Sequence, residues 1–224
     1  MRKYLLLFNL LMAITACNDI QGPQNISNNI NTTNVTQSLE EKLNHSKFQR
    51  IETGYTITSY GDPNEKHYTE EKIQVWNRSG DSLGYFKKDF LQQVKIDGSG
   101  YTEEEKFLHY DYSVNDNKTY YLSDYSRGVW DNPINGWHHS RPSIAINPPL
   151  EQGTKIDILE LGPNDSPQWV NELLLTKIFY IDDKFFGIGD EKRIDIYIGL
   201  LKNKSIINEP ESLLIKNATI GILE

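Results

Sequence analysis

The chain has 224 residues, a formal net charge of −8 and a single cysteine, and 38% of its residues are hydrophobic. A negative surface disfavours nucleic acid and anionic membranes as partners. One cysteine excludes a disulfide within the chain, so the fold depends on its hydrophobic core.

The N-terminal residues have the pattern of a secretory leader that ends at a lipid-attachment site. Met1–Lys3 is basic, and Tyr4–Ile14 is an apolar run too short to span a bilayer comfortably. Ile14-Thr15-Ala16-Cys17 then looks like a bacterial lipobox. We expect a lipoprotein signal peptide over residues 1–16 and a Cys17 that carries palmitate and anchors the chain to a membrane. The alternative is an ordinary cleaved leader followed by an incidental cysteine.

The next segment, residues 17–43, is rich in Asn, Thr, Ser and Gln and has no sustained apolar period. Such a segment buries too little surface to offset its ordering entropy, so we expect a flexible tether. Asn18 does not resemble the Asp that favours retention at the inner membrane. We therefore expect a cell-envelope location, at the outer membrane facing the periplasm if the host has two membranes.

The first folded part, residues 44–93, is predicted to be a β-rich extension. Tyr55–Tyr60 and Lys72–Asn77 alternate apolar and polar residues, as half-buried strands do. Leu83–Ile96 is predicted to continue extended or to bend once. No long helical period is evident before residue 166.

The remainder, residues 94–224, contains more short strands separated by Gly and Pro. The strands are predicted at His109–Tyr112, Tyr120–Ser123, Thr154–Leu161, Leu173–Ile181, Arg193–Gly199 and Ser212–Leu223. A short helix is predicted over Gln168–Leu174, with Ser166 as its N-cap and Pro167 in its first position. Many short strands with such turns predict an all-β barrel or sandwich.

The loop from Ser126 to Pro142 combines aromatic and basic residues without periodicity. An indole ring can stack on a sugar ring while basic side chains bind its hydroxyls, so Trp130 and Trp137 are predicted saccharide contacts. The alternative is that one or both cap the open end of the barrel. His138-His139 is weak support for a metal because adjacent strand residues point to opposite faces. We predict no metal and no cofactor.

Four motifs occur in a fixed order in the second half of the chain. They are Ala145-Ile146-Asn147-Pro148, Gly153-Thr154, Asp182-Asp183 and Arg193-Ile194-Asp195-Ile196-Tyr197. This order resembles the three-aspartate (3D) domain of bacterial cell-wall proteins, which is shared with membrane-bound lytic transglycosylase A. The resemblance implies a double-psi β-barrel and a partner in the glycan strands of peptidoglycan.

The resemblance also implies the site. Carried over residue by residue, the third aspartate is Asp195, the second is Asp183 or its neighbour Asp182, and the first falls on Asn147. A second departure is that Phe185-Phe186 stands where the family has small glycines. The predicted substrate contacts are Trp130, Trp137, His138, Arg141 and Tyr197.

A lytic transglycosylase needs one carboxyl group that protonates the leaving oxygen and later takes a proton from the attacking muramoyl hydroxyl. Asp195 is predicted to fill this role, with its pKa raised by apolar neighbours and by Asp183. Asn147 cannot exchange a proton near neutral pH, but it can keep an orienting role. The alternative is a glycan-binding or structural envelope lipoprotein that has lost turnover. The sequence alone leaves the oligomeric state open.

Overall fold

The computed structural model describes residues 48–112, 119–185, 191–209 and 211–223. The helices are α1 (Lys88–Asp97) and α2 (Gln168–Thr176), with short 3₁₀ helices at Glu65–His67 and Ile206–Asn208. The strands are β1 (Phe48–Asp62), β2 (Lys72–Trp76), β3 (Ser82–Lys87), β4 (Ser99–Tyr101), β5 (Phe107–Tyr110), β6 (Tyr120–Ser123), β7 (Ser143–Asn147), β8 (Lys155–Glu160), β9 (Ile178–Lys184), β10 (Arg193–Leu200) and β11 (Leu214–Leu223). The prediction of a mainly β fold is confirmed.

Six strands form a closed ring in the order β1-β10-β7-β9-β8-β11. The pairs β1–β10 and β7–β9 are parallel, and the other neighbours in the ring are antiparallel. β1 is long enough, at 15 residues, to serve two neighbours. It pairs with β11 from Phe48 to Thr58 and with β10 from Thr56 onwards, and a register shift beside Gly54, at φ +82°, bends it between them.

The ring encloses a core dominated by isoleucine, a β-branched residue that packs well on pleated strands. β10 shows how the sequence sorts its side chains: Ile194 and Ile196 are buried in this core, and Asp195 between them points to the opposite face. α2 covers the core with Val170 and Leu174. The buried members of the core are Tyr55, Ile57, Trp137, Ile144, Ile146, Ile156, Ile158, Val170, Leu174, Phe179, Ile181, Ile194, Ile196, Leu213, Ile215, Ala218, Ile220 and Ile222.

Between β1 and β7, residues 63–112 and 119–123 form a smaller body, which we call the insert. It contains the β2–β3 hairpin, α1 and the three-stranded sheet β4-β5-β6. A Cβ at Gly100 would lie 2.7 Å from atoms of both Phe90 and Val94, so glycine lets α1 lie directly on β4. The second core consists of Tyr68, Val75, Phe86, Phe90, Leu91, Val94, Leu108, Tyr110 and Tyr120.

A buried carboxyl group connects the insert to the ring. Asp62, the last residue of β1, accepts hydrogen bonds from the hydroxyls of Ser99 on β4 and Tyr197 on β10. The backbone N–H of Tyr101 donates to the carbonyl of Pro63 at 2.8 Å. The insert is therefore attached where β1 leaves the ring.

The prediction of extended chain over Leu83–Ile96 is wrong in its second half, because α1 begins at Lys88. Phe90, Leu91 and Val94 recur at helical spacing and are all buried on one side of α1. Gly98, at φ +90°, ends the helix. The chain is helical here because that one apolar side packs on β4 and β5 of the insert.

The predicted short helix at Gln168 is confirmed, although it continues to Thr176 and Pro167, not Ser166, is its N-cap. The strand predicted from Leu173 therefore begins only at Ile178. β1 belongs to the ring although it lies in the segment assigned to the extension, because its pairing partners are the distant β10 and β11. In the part of the chain with described coordinates, no helix is long and apolar enough to cross a membrane.

Candidate active site

A cleft of about 750 Å³ lies between the ring and the insert. The ring contributes Tyr60 of β1, Ala145 of β7, the end of β9 and Asp195 of β10, and the insert contributes the end of α1 and parts of β5 and β6. The lining residues are Tyr60, Ile96, Asp97, Gly98, His109, Tyr110, Asp111, Tyr112, Tyr121, Arg127, Gly128, Val129, Asp131, Ala145, Asp183, Lys184, Phe185 and Asp195.

Strand pairing brings two of the predicted site residues together on the ring side of this cleft. Ala145 at the middle of β7 pairs with Asp195 on β10 and with Asp183 on β9. Strands lie roughly 4.8 Å apart, so the two aspartates are about 10 Å apart at their backbones. Since the residue between them is alanine, its methyl group leaves space in front of both carboxyl groups.

Asp195 lines the cleft. Its side chain is 14% exposed, and Oδ1 accepts a hydrogen bond at 3.2 Å from Nε of Arg193. Within the described part of the chain, no hydrogen-bond donor contacts Oδ2. Burial raises the pKa of Asp195, Arg193 opposes this shift, and the nearby charge of Asp183 adds to it. A carboxyl group with a raised pKa is suited to general acid chemistry.

Asp183 has both carboxyl oxygens engaged. Oδ1 accepts from the backbone N–H groups of Val129 at 3.0 Å and Lys184 at 2.9 Å. Oδ2 accepts from the hydroxyl of Tyr60 at 3.1 Å. Burial raises the pKa of Asp183, and these three donors oppose the shift because they favour the ionised form. These three donors hold the carboxyl group of Asp183 in one orientation beside the cleft.

The structure decides between the two neighbouring candidates for the second aspartate. Asp182 and Asp183 are adjacent on β9, so their side chains point to opposite faces. Asp182 points away from the cleft, is buried, and forms a two-pronged ion pair with Arg141 at 2.5 and 2.9 Å. It also accepts a hydrogen bond from Ser143. Asp183 is the residue that faces the cleft.

Asn147 lies at the end of β7, two residues beyond Ala145 and on the same face of the strand. Its Nδ2 donates to the carbonyl of Glu191 at 2.8 Å, which connects β7 to the chain entering β10. It is half-buried and does not line the cleft. Asn147 therefore contributes to holding the strand ends together.

Two of the predicted substrate contacts are buried. Trp137 is 1% exposed and belongs to the ring core, so the prediction that it stacks on a sugar is wrong. Tyr197 is also buried, where its hydroxyl donates to Asp62 and its ring lies 5.3 Å from that of Tyr60. Its predicted substrate contact is therefore wrong as well, since Tyr197 supports the cleft from behind.

The other three predicted contacts do not line the cleft. Arg141 is held by Asp182 and stacks on Tyr180 at 4.3 Å, so its charge is used within the fold. His138 is exposed beside Trp169 of α2, with ring centroids 6.4 Å apart. Trp130 is half-buried against the ring core with Lys184 over its ring at 5.3 Å. Its flanking residues Val129 and Asp131 do reach the cleft.

Several cleft residues come from parts of the sequence to which no function was assigned. Asp97, at the end of α1, accepts from Gln93 at 2.8 Å, and enclosure by the cleft walls raises the pKa of Asp97 to about 6 although its side chain stays exposed to the opening. His109 is buried in the insert wall, and this burial lowers the pKa of His109 to about 4, which keeps it neutral at pH 7. Arg127 stacks on Tyr125 at 4.6 Å.

Sequence signals existed for some of these residues. Tyr60 stands on the alternating pattern of β1, and Asp97 precedes the glycine that ends α1. Their meeting with Asp183 depends on the packing of the insert against the ring, which no local pattern indicates. Among the described residues, no group of three or more His, Cys, Asp or Glu side chains is placed to hold a metal ion. Cys17 lies outside the described residues.

No family model matches the chain, and no curated protein sequence is significantly similar to it. Among solved structures, the chain is similar to MltA from E. coli, at 13% identity and a TM-score of 0.44 over 87% of this chain and 84% of that chain. The structure of E. coli MltA with bound chitohexaose gives 12% identity and a TM-score of 0.48 over 86% and 82%. LtgG, a lytic transglycosylase of Burkholderia pseudomallei, gives 12% identity and a TM-score of 0.42 over 76% and 72%. Likeness at this level carries no weight for function, so we rely on the cleft and the motifs.

Proposed function

We propose that this chain is a lipid-anchored envelope enzyme that cleaves peptidoglycan glycan strands by lytic transglycosylation, with Asp195 as its single general acid and base. One observation carries the proposal: Asp195 lines an open cleft, no residue in the described part of the chain donates a hydrogen bond to its Oδ2, and Asp183 is its neighbour across Ala145. The proposal includes the double-psi arrangement of the ring that the motif order implies.

The chemistry divides the roles of the two aspartates. Protonated Asp195 gives its proton to the glycosidic oxygen, the bond from the anomeric carbon to that oxygen breaks, and positive charge develops on the sugar ring. The ionised carboxylate of Asp183 stabilises this charge. The 6-hydroxyl of the same muramoyl residue then attacks the anomeric carbon and returns its proton to Asp195. The product is a 1,6-anhydro sugar, and no water is consumed.

Digestion of purified sacculi tests the proposal. Wild-type protein is expected to release muropeptides with anhydro ends, identified by mass, and Asp195→Asn is expected to lower the release by at least a hundredfold because the amide cannot donate an acidic proton. The matched control is Asp165→Asn, since Asp165 lies in an exposed loop before α2. Absence of anhydro products from the folded wild type would refute the enzyme proposal.

A second candidate is a binding module that holds glycan strands without turnover. It is favoured by Asn147 at the first aspartate position and by Phe185, whose ring lies in the cleft 4.8 Å from the guanidinium of Arg193. In that case wild type and Asp195→Asn would sediment equally with sacculi, and neither would release products. Asn147→Asp would raise activity only if that position is an eroded part of an enzyme.

The anchor is a separate part of the proposal and rests on the lipobox-like Ile14-Thr15-Ala16-Cys17. We propose that acylated Cys17 holds the protein at the envelope membrane, at the outer membrane in a host that has two. Wild type is expected to fractionate with membranes and to incorporate labelled palmitate. Cys17→Ser is expected to remain as unprocessed precursor or to become soluble. A wild type that is processed but carries no label would contradict the anchor.

A further inference from the structure

Arg193 is the charged group in closest contact with Asp195. The two residues are two positions apart on β10, so their side chains point to the same face of the ring. Nε of Arg193 is shared between Oδ1 of Asp195 at 3.2 Å and Oγ1 of Thr58 at 2.9 Å. The same N–H therefore contacts a carboxylate on β10 and a hydroxyl on the neighbouring strand β1.

The hydroxyl of Thr58 is itself held in one direction. Thr58 pairs with Asp195 in the parallel β1–β10 register and is buried, and its hydroxyl donates to the carbonyl of Ile194 at 3.4 Å. With its hydrogen directed at Ile194, the oxygen keeps its lone pairs for Nε of Arg193. On the other side, the guanidinium lies on the ring of Phe185 at 4.8 Å. Arg193 is thus fixed by contacts from β1 and from the end of β9.

We propose that Arg193 is the positioning residue for Asp195, holding its carboxyl group by Oδ1 so that Oδ2 points to the glycosidic oxygen, with Thr58 as the support for Arg193. This inference rests on the proposed function. It assigns a task to a side chain that does not touch the reacting atoms.

The same contact affects the pH range in which Asp195 keeps its proton. A cation beside a carboxyl group favours the ionised form, so Arg193 opposes the effect of burial on the pKa of Asp195. The other charged and titratable groups that line this cleft are Asp183 and Lys184 from β9, Tyr60 from β1, Asp97, His109, Tyr110, Asp111, Tyr112 and Tyr121 from the insert, and Arg127 and Asp131 from the loop between β6 and β7. Among them, Asp183 acts on Asp195 in the opposite sense to Arg193.

Three variants separate positioning from charge. Arg193→Met removes both, so we expect kcat on soluble glycan fragments to fall roughly ten- to a hundredfold. We also expect the alkaline limb of its pH profile to move up by about one unit. Arg193→Lys keeps the charge and is expected to lose rate without moving the limb. Thr58→Val removes only the hydrogen bond that supports Arg193. It is expected to lower kcat without moving the alkaline limb of the pH profile and without changing KM.

A titration that needs no activity separates this inference from the proposed function. The carboxyl carbon of Asp195 is followed by NMR in ¹³C-labelled protein and assigned with Asp195→Asn. Its midpoint is expected to be about one unit higher in Arg193→Met than in wild type and near the wild-type value in Thr58→Val. If the midpoint does not move in Arg193→Met, or if that variant keeps wild-type kcat, the inference is wrong. An inactive wild type with a shifted midpoint would refute the enzyme but retain the link between Arg193 and Asp195.

Discussion

Two adjacent aspartates on β9 have different surroundings, because one faces the cleft and the other is buried behind the strand. Asp183 lies at the cleft with three donors, and Asp182 lies behind the strand in an ion pair with Arg141. The sequence alone could not choose between them, because both follow the same apolar run. The choice depends on which face of β9 meets the cleft. Alternation along a strand places the two side chains on opposite faces, but it does not tell which face is the cleft face until one residue of the strand is known to be buried.

We expect Asp182→Asn to destabilise the protein and Asp183→Asn to inactivate it. The first substitution leaves the half-exposed Arg141 without its charged partner, and loss of a pair buried on one side costs about 2 kcal/mol of the free energy of unfolding. The second replaces a charge that acts in the transition state. Urea unfolding and product release, measured on both variants, check this division. Equal stability of the two variants would contradict it.

At the scale of elements, the strands were more predictable than the helices. β1, β5, β6, β8, β10 and β11 all overlap predicted strands, because alternating or β-branched runs are local signals. α1 was missed because its apolar residues are few and lie among Lys, Gln and Asp. The pattern of Phe90, Leu91 and Val94 followed by Gly98 was available in the sequence and could have found it.

The contact between α1 and β4 gives a prediction at this scale. In Gly100→Val, the new side chain would collide with Phe90 and Val94, since even a Cβ would be 2.7 Å away from each. We expect a loss of 1–3 kcal/mol, about the usual cost of overpacking, measured by chemical denaturation. Ile96→Ser is the control, because Ile96 is on the same helix but 72% exposed. A Gly100→Val protein as stable as wild type would show that α1 is free to move off β4.

At the scale of the molecule, the site was only half predictable. The motif order predicted Asp195 together with Asp183 or its neighbour Asp182, and the structure places Asp195 and Asp183 on the ring side of the cleft. The opposite wall, with Asp97, His109 and Tyr112, comes from the insert, and its position depends on how two separately packed cores meet. The loop that was expected to supply the sugar contacts instead packs Trp137 into the ring core.

The buried carboxyl groups predict how stability varies with pH. Burial raises the pKa values of Asp62, Asp183 and Asp195 above 3.8, so the folded state retains protons that the unfolded state releases. Stability contributed by these groups is therefore lost as pH rises through the raised values. The pKa of Glu103 is lowered to about 2 by Lys72 and Lys87, and its small contribution is lost as pH falls below about 4.5.

We therefore expect these carboxyl groups to contribute a higher melting temperature at pH 5 than at pH 7.5, a difference that His109 opposes because burial lowers its pKa to about 4. Asp62→Asn should reduce this difference, because the amide keeps the shape of the group that joins Ser99 to Tyr197 and does not ionise. Differential scanning calorimetry from pH 4 to 8 provides the measurement. An equal dependence of the melting temperature on pH in wild type and in Asp62→Asn would contradict the expectation.

The strands that pair with β1 are far from it in the sequence, and this separation affects the order in which the protein can fold. Thr58 reaches Ile194, 136 positions along the chain, so β1 has no ring partner until almost the whole polypeptide is available. The insert consists of hairpins and one α-helix, whose contacts are local. It can therefore fold before the strands of the ring pair with one another. High contact order makes ring closure the slow event, on a scale of milliseconds to seconds. During that interval the exposed edges of β1 and β8 lack β11, and the newly made protein is most open to proteases and to self-association.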